Sequence, residues 1–184
     1  MTDIILLCDK MRSTTLRAIN SILENTTDIN LIIVKKEQSV AKNRNVWLNR
    51  TLSNPFVMVD DDIVVYSGWL DGLKKAMTKG VGVVGPKIVN SFGKQWDIPQ
   101  NQTETAKEVY ELSGCCCLYK NINILADEKY IESQWEDTDI QWQYKDKGYK
   151  LVVNPDVIIE HTAAGNSPGH QQNEKYFISK WGKK

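Results

Sequence analysis

Three short runs, "DIILLC" (3–8), "INLIIV" (29–34) and "FVMV" (56–59), are apolar at nearly every position, and a stretch with helical spacing follows each of them. Strands apolar on both faces must be covered on both sides, which is the condition of a parallel sheet whose crossovers are helices. The first helix carries Leu16, Ile19, Ile22 and Leu23, with Ser13, Thr14 or Thr15 available as its cap. The second carries Val40, Val46, Trp47 and Leu52, and the third Trp69, Leu70, Leu73 and Met77 after Ser67 and Gly68. The pattern predicts an α/β chain, a mostly parallel sheet flanked by helices, and makes all three runs buried strands.

From 90 to 108 polar residues with Gly and Pro replace this pattern, and a long loop is expected. "SGCCCLY" (113–119) reads as a further strand. "WEDTDIQWQYKDKG" (135–148) reads as a helix, with Ile140 and Tyr144 four apart and Gly148 as its stop. "KLVVNPDVIIEH" (150–161) reads as two short strand pieces broken at Asn154-Pro155. Residues 162–184 open on "TAAGNSPGH" and are expected to form a mobile tail ending in a short helix around "EKYFISKW".

The 184 residues suit one domain, and 23 basic residues balance 23 acidic ones, so no global field favours nucleic acid or an anionic membrane. No apolar stretch approaches the roughly 20 residues of a membrane span, and "MTDIILLCDKMRS" lacks the basic start and cleavage site of a secretory leader, so a cytoplasmic location is expected. Cys115, Cys116 and Cys117 are adjacent, which fits neither a disulfide framework nor a C-x-x-C metal pattern, and with Cys8 they are expected to be buried as small hydrophobes. The sequons at Asn25, Asn49 and Asn101 have meaning only in a secreted protein and are discounted on the expected cytoplasmic location.

The third run ends on Asp60, Asp61 and Asp62. Ligands of an open parallel sheet bind at the carboxyl ends of its strands, and three carboxylates there call for a cation, hydrogen-bond donors or water. A divalent oxygen-seeking ion such as Mn2+ or Mg2+ answers that need; an acidic turn capping the next helix is the plainer alternative. Glu136, Asp137 and Asp139 form a second cluster between Trp135 and Trp142. Acidic residues favour a helix N-terminus, yet a carboxylate in a partly dry, Trp-walled pocket also suits proton abstraction. His161, one of two histidines, ends "DVIIEH", where it is either a hydrogen-bonded loop residue or an imidazole completing an Asp-bound metal site.

With these residues in view, the chain resembles an inverting family 2 glycosyltransferase of the Rossmann-like GT-A fold over roughly residues 3–161. "TTLRAINSILENT", "SVAKNRNVWLNRTLSNPFVMVDDD", "VGVVGPKIV", "SGCCCLYK" and "DEKYIESQWEDTDIQWQYKDKGYKLVVNPDVIIEH" carry the resemblance in order. It implies a single domain with a nucleotide-sugar half (1–89), an acceptor and catalytic half (90–161) and a tail or lid (162–184). It implies Mn2+ or Mg2+ held by Asp62 and His161 with Asp60, and a donor held by Asp9, Lys36, Arg44, Asp60 and Asp61. The acceptor would meet Gly114, Trp135 and Glu136, with Asp137 as the general base and Glu136 beside it. A UDP-sugar is the favoured donor and a glycan hydroxyl the favoured acceptor, with protein or a nucleic-acid base as alternatives; the oligomeric state stays open. Two features depart from the family pattern: Lys35 and Lys36 stand where many relatives are acidic, and Gln143 stands where an Arg is usual.

"GVGVVG" (80–85) satisfies G-x-G-x-x-G but runs into Pro86 with no helix to open, so it is no dinucleotide fingerprint. Trp47 and Trp69 sit at core spacing, which leaves Trp96, Trp135 and Trp142 for acceptor contact. The competing readings are a binding module of the same fold without turnover and a two-metal nuclease or phosphotransferase; the second lacks a phosphate-cradling Gly-Lys-Ser/Thr loop. His170 is a candidate diphosphate contact if the tail closes over the donor.

Overall fold

In the computed structural model, which describes residues 1–35, 37–50, 52–95, 98–162 and 170–182, the three apolar runs become β1 (Thr2–Cys8), β2 (Ile29–Lys35) and β3 (Phe56–Asp60). Helices α1 (Ser13–Glu24) and α2 (Val40–Leu48) connect them. Then come β4 (Ile63–Val64), α3 (Trp69–Ala76), β5 (Val81–Val89), β6 (Lys107–Val109), β7 (Cys116–Tyr119), α4 (Glu136–Asp146), β8 (Lys150–His161) and α5 (His170–Trp181). One sheet runs β2-β1-β3-β7-β5-β8-β4, with β6 also on β8.

Parallel registers account for most of the pairing: β1 with β2 and β3, and β5 with β8. β7 lies antiparallel between β3 and β5, so β1, β2, β3, β5 and β8 all point one way. Their carboxyl ends, together with the amino end of β7, share one edge of the sheet. The backbone N–H of Asp60 donates to the carbonyl of Cys115 there at 2.8 Å.

Successive strand residues point to opposite faces, which splits the core into two layers. Ile4, Leu6, Val57, Val59, Cys116 and Leu118 pack beneath α1 and α3 with Ile22, Trp69 and Leu73. Ile5, Phe56, Met58, Cys117 and Tyr119 pack on the other face with Ala41, Ile140, Tyr144 and Phe177 from α2, α4 and α5. β1 and β3 are therefore covered on both sides, as expected. All four cysteines are free and buried, also as expected.

Several local expectations are corrected. β2 is an edge strand and only half buried, with Ile33 43% exposed, because nothing pairs beyond it. Leu16 and Leu23 of α1 are about half exposed; the helix seats through Thr15, Ala18, Ser21 and Ile22. Its N-cap is Arg12, whose N–H donates to the Thr15 hydroxyl, so Thr15 caps from inside the helix. β8 is one strand and not two pieces. Its register against β5 jumps from Pro86↔Asn154 to Lys87↔Ile158, which lets Pro155, with no N–H to give, ride through an irregularity without ending the strand. The expected loop at 90–108 contains a 3-10 turn, Pro99–Gln102, and the start of β6.

The second half of the expected tail is a twelve-residue helix fixed to the body. Phe177 of α5 is fully buried, Tyr176 donates to Asp127 at 2.8 Å, and Lys180 and Trp181 both bond Asp139, itself fully buried. Residues 163–169, Lys36 and Trp96, and the side chain of His170, lie outside the described residues. Among the described residues no helix is long and apolar enough to cross a membrane.

Candidate active site

At the carboxyl edge each of the three consecutive aspartates has a different neighbour. β3 ends at Asp60, the chain turns through Asp61 and Asp62, and β4 places Ile63 opposite His161 of β8. Asp62 therefore meets His161, Oδ1 to Nε2, at 3.1 Å, while its carbonyl accepts both the N–H and the hydroxyl of Thr162. Asp61 turns toward α1 and accepts the Thr15 hydroxyl at 2.8 Å. Asp60 faces inward, and burial pushes its carboxyl up to about 6, against the pull of Arg44 and His161. Burial works against the charge of His161, but hydrogen bonds to Asp62 and Cys115 outweigh it and carry the imidazole up to about 11.

One ligand atom from each of Asp60, Asp62 and His161 lies within 4.8 Å of the others. Two metal–oxygen bonds of about 2.1 Å span about 4.2 Å, so a small inward shift would close the three around one ion. Two carboxylates and an imidazole form a donor set suited to Mn2+, and a carboxyl whose charge is disfavoured by burial is one that a cation would relieve. The trio fits such an ion.

Behind the edge lies Arg44, 6% exposed. Its guanidinium stands 3.4 Å from Glu136 and feels the charges of Glu136, Asp137 and Asp60, which outweigh burial and hold its pKa above the ordinary value. α2 delivers it through an inward face that is polar. Asn43 donates to the carbonyls of Gln38 and Ser39, and Asn45 brackets Ala126, donating to its carbonyl and accepting its N–H, both at 2.9 Å. The expected apolar stripe is only partly present: Val40 is buried and Trp47 half-buried, but Val46 is 47% exposed and Leu52, itself buried, lies beyond the helix. Asn43 and Asn45 escaped the apolar-period reading, although the amides flanking Arg44 in "AKNRN" were a signal for them.

The second acidic cluster also separates by direction. Glu136 is buried against Arg44, and burial pushes its carboxyl up to about 7 despite that cation. Asp139 points into the core, where Tyr130, Gln143, Lys180 and Trp181 all donate to it. Gln143, where an Arg was expected, thus bonds Asp139, and the neighbouring cation comes from Lys180 of α5. Asp137 alone opens outward, into a cavity of about 240 Å³ bounded by Ile98, Gln100, Glu111, Gly114 and Thr138. Its Oδ1 accepts the Thr138 N–H at 2.8 Å, and the Thr138 hydroxyl donates to Glu111 at 3.1 Å. Gln100 and Glu111 were not singled out from sequence, since nothing in the 90–111 stretch marks them.

Gly114 touches Asp137 so closely that an added Cβ would overlap its carboxylate oxygen and stand 2.6 Å from its Cβ. Gly114→Ala is expected to displace Asp137; were Asp137 a reacting group, turnover would fall by about 10²-fold, the cost of moving such a group by about 1 Å. Steady-state kinetics on a variant with unchanged circular dichroism checks this.

Asp9 follows β1 near the same edge but is exposed and paired with Arg12 at 3.0 Å. Trp135 is the N-cap of α4 and packs on Phe177, ring centres 4.9 Å apart. Trp142 packs edge-on against Tyr110 and Phe177 and tilted against Trp181, so it serves the seat of α5. Trp69 is buried as expected, whereas Trp47 is half-buried with Arg50 over its ring.

A mixed, mostly parallel sheet between helical layers, with acidic residues and a histidine at its carboxyl edge, is the GT-A architecture of nucleotide-sugar transferases, and the chain has that fold. A structure of GalNAc-T7 holding UDP, GalNAc and Mn2+ matches it with a TM-score of 0.75 at 14% identity, over 98% of this chain and 48% of that one. Residues 1–349 of TarS from S. aureus match with a TM-score of 0.69 at 17% identity, over 88% of this chain and 60% of that one. TarS in complex with UDP-GlcNAc matches at 0.68 and 17% identity, over 91% and 60%. The chain thus spans about half to three fifths of these neighbours. No protein-family model matches the sequence, and no curated protein does.

Proposed function

We propose that this chain is a metal-dependent inverting glycosyltransferase that moves a sugar from a nucleotide diphosphate, UDP favoured, to an acceptor hydroxyl, a glycan favoured. The observation that carries the reading is the meeting of Asp60, Asp62 and His161 at the sheet edge, with Asp137 open to a cavity on the same side. Asp60, Asp62 and His161 would hold Mn2+ or Mg2+, which when bound supplies positive charge against the leaving diphosphate. Asp61 and Asp9, near the same edge, would meet the donor's sugar or ribose.

Asp137 takes the proton of the acceptor hydroxyl as that oxygen attacks the anomeric carbon from the face opposite the diphosphate. One displacement inverts the configuration, and no covalent bond to the protein forms. Arg44 keeps Glu136 in place behind Asp137 and offsets the gathered negative charge. Ile98 and Thr138 shape the acceptor side, and Gly114 leaves room for the Asp137 carboxylate.

The UDP favoured here agrees with the neighbours, whose structures contain UDP or UDP-GlcNAc. A thermal-shift panel of UDP-, GDP-, TDP- and CMP-sugars with Mn2+ or with EDTA tests the reading. A rise in Tm with a UDP-sugar and Mn2+ that EDTA abolishes is the expected result. Binding without any turnover would favour the binding-module reading, and the same shift with EDTA would contradict the metal role.

A further inference from the structure

Asn173 lies on α5, far along the chain from Asp137, and is 1% exposed. Its side-chain oxygen accepts the Ile131 N–H at 3.0 Å. Its amide nitrogen donates to the carbonyls of Ile131, Ser133 and Gln134 at 2.8, 3.0 and 2.8 Å. Two N–H hydrogens serve three carbonyls, so one is shared, and a single side chain meets three of the four carbonyls and one of the four N–H groups of residues 131–134.

That segment runs directly into Trp135, Glu136 and Asp137, and it is strained. Glu132, Gln134 and Trp135 have φ of 52°, 76° and 73°, in the left-handed region that residues with a Cβ seldom adopt. Such backbone persists only where its surroundings over-determine it. The surroundings come from two helices: Val40 at the start of α2 donates its N–H to the Glu132 carbonyl at 2.7 Å, and Asn173 takes the other three carbonyls. Phe177, one turn further along α5, packs on Trp135 at the loop's exit.

We propose that Asn173 is a positioning residue: it fixes the strained 131–135 loop and thereby the direction in which Asp137 enters the acceptor cavity. The proposal rests on Asp137 acting as the base. It assigns α5 a part in turnover that Asp62 and His161 do not share, because they stand on β4, β8 and their turn, which Asn173 does not touch.

The test is Asn173→Ala, compared with Ile22→Val, a core change beneath α1 that lowers stability away from the loop. UDP release from UDP-GlcNAc with Mn2+ is followed well below the Tm of every variant. Asn173→Ala is expected to lose roughly 10²-fold in kcat with KM for UDP-GlcNAc within twofold of wild type, while Ile22→Val keeps kcat. Wild-type kcat in a folded Asn173→Ala protein overturns the proposal. If the wild type itself releases no UDP, the proposed function fails separately, and hydrogen exchange decides on the clamp. Faster exchange confined to amides 131–137 in Asn173→Ala supports it, and unchanged exchange there overturns it.

Discussion

Asp137→Asn is expected to bind UDP-sugar and Mn2+ as the wild type does and to lose about 10²- to 10⁴-fold in turnover, the usual contribution of a positioned base. The substitution keeps the shape of the side chain and its acceptor bond from the Thr138 N–H, so the start of α4 is retained. Donor binding persists because the Asp60, Asp62 and His161 trio is left intact. Were Asp137 merely favourable at a helix N-terminus, the change would cost about 0.3 to 1 kcal/mol of stability and leave turnover alone. Glu136→Gln is the companion measurement. The Glu136 side chain is buried against Arg44, so its loss should disturb stability more than the proton transfer. A dead Glu136→Gln beside a normal Asp137→Asn would move the base by one residue.

Arg44→Met should produce the largest loss of stability. Removing one partner of a buried ion pair leaves the other charge uncompensated, at a cost of about 3 to 5 kcal/mol. Here Glu136, with its side chain 5% exposed, is that partner, and Asp60 and Asp137 also lie in the field of the cation. The pH dependence has a definite sign. Burial already raises Glu136 in the folded state above its ordinary 4.5, so folding takes up a proton there, and stability falls as pH rises through that window to about 7. Without Arg44 the rise is larger. Urea unfolding should therefore show the Arg44→Met deficit shrinking as pH falls to about 7 from above and staying nearly constant below, where Glu136 is protonated in both folded proteins, and Arg44→Met with Glu136→Gln should recover part of it. A pH-independent deficit would mean that lost packing, and not uncompensated charge, is the cause.

The layers were legible because strands 3–8 and 56–59 leave no polar face, and the Asp60–Asp62 edge was legible because carboxylates interrupt an apolar run. The inward face of α2 was not. Beyond Val40 and Ala41 its buried positions are spent on hydrogen bonds from Asn43 and Asn45 and on the Arg44 charge, whereas hydrophobic periodicity also points at Val46, which faces water. The same holds for α5, whose seat combines Phe177 with Asn173 and Lys180, residues that read as a solvated surface in a linear sequence. The continuity of β8 through Pro155 depended on a register jump set by β5, a partner far away in sequence. Separate destinations for Glu136, Asp137 and Asp139 follow from helical rotation, which parts adjacent side chains by about 100° each, but what each would meet required the packed chain.

Calorimetric titration of Mn2+ with UDP into the wild type and into Asp62→Asn tests the central claim most directly. The carboxylate of Asp62 is the one that meets His161, at 3.1 Å, and its loss removes a charged ligand with little change in shape. UDP is expected to bind the wild type only with Mn2+ present, and Asp62→Asn to weaken this binding at least tenfold while retaining the wild-type fold by circular dichroism. Equal UDP affinity in both proteins, or affinity unchanged by EDTA, would contradict it.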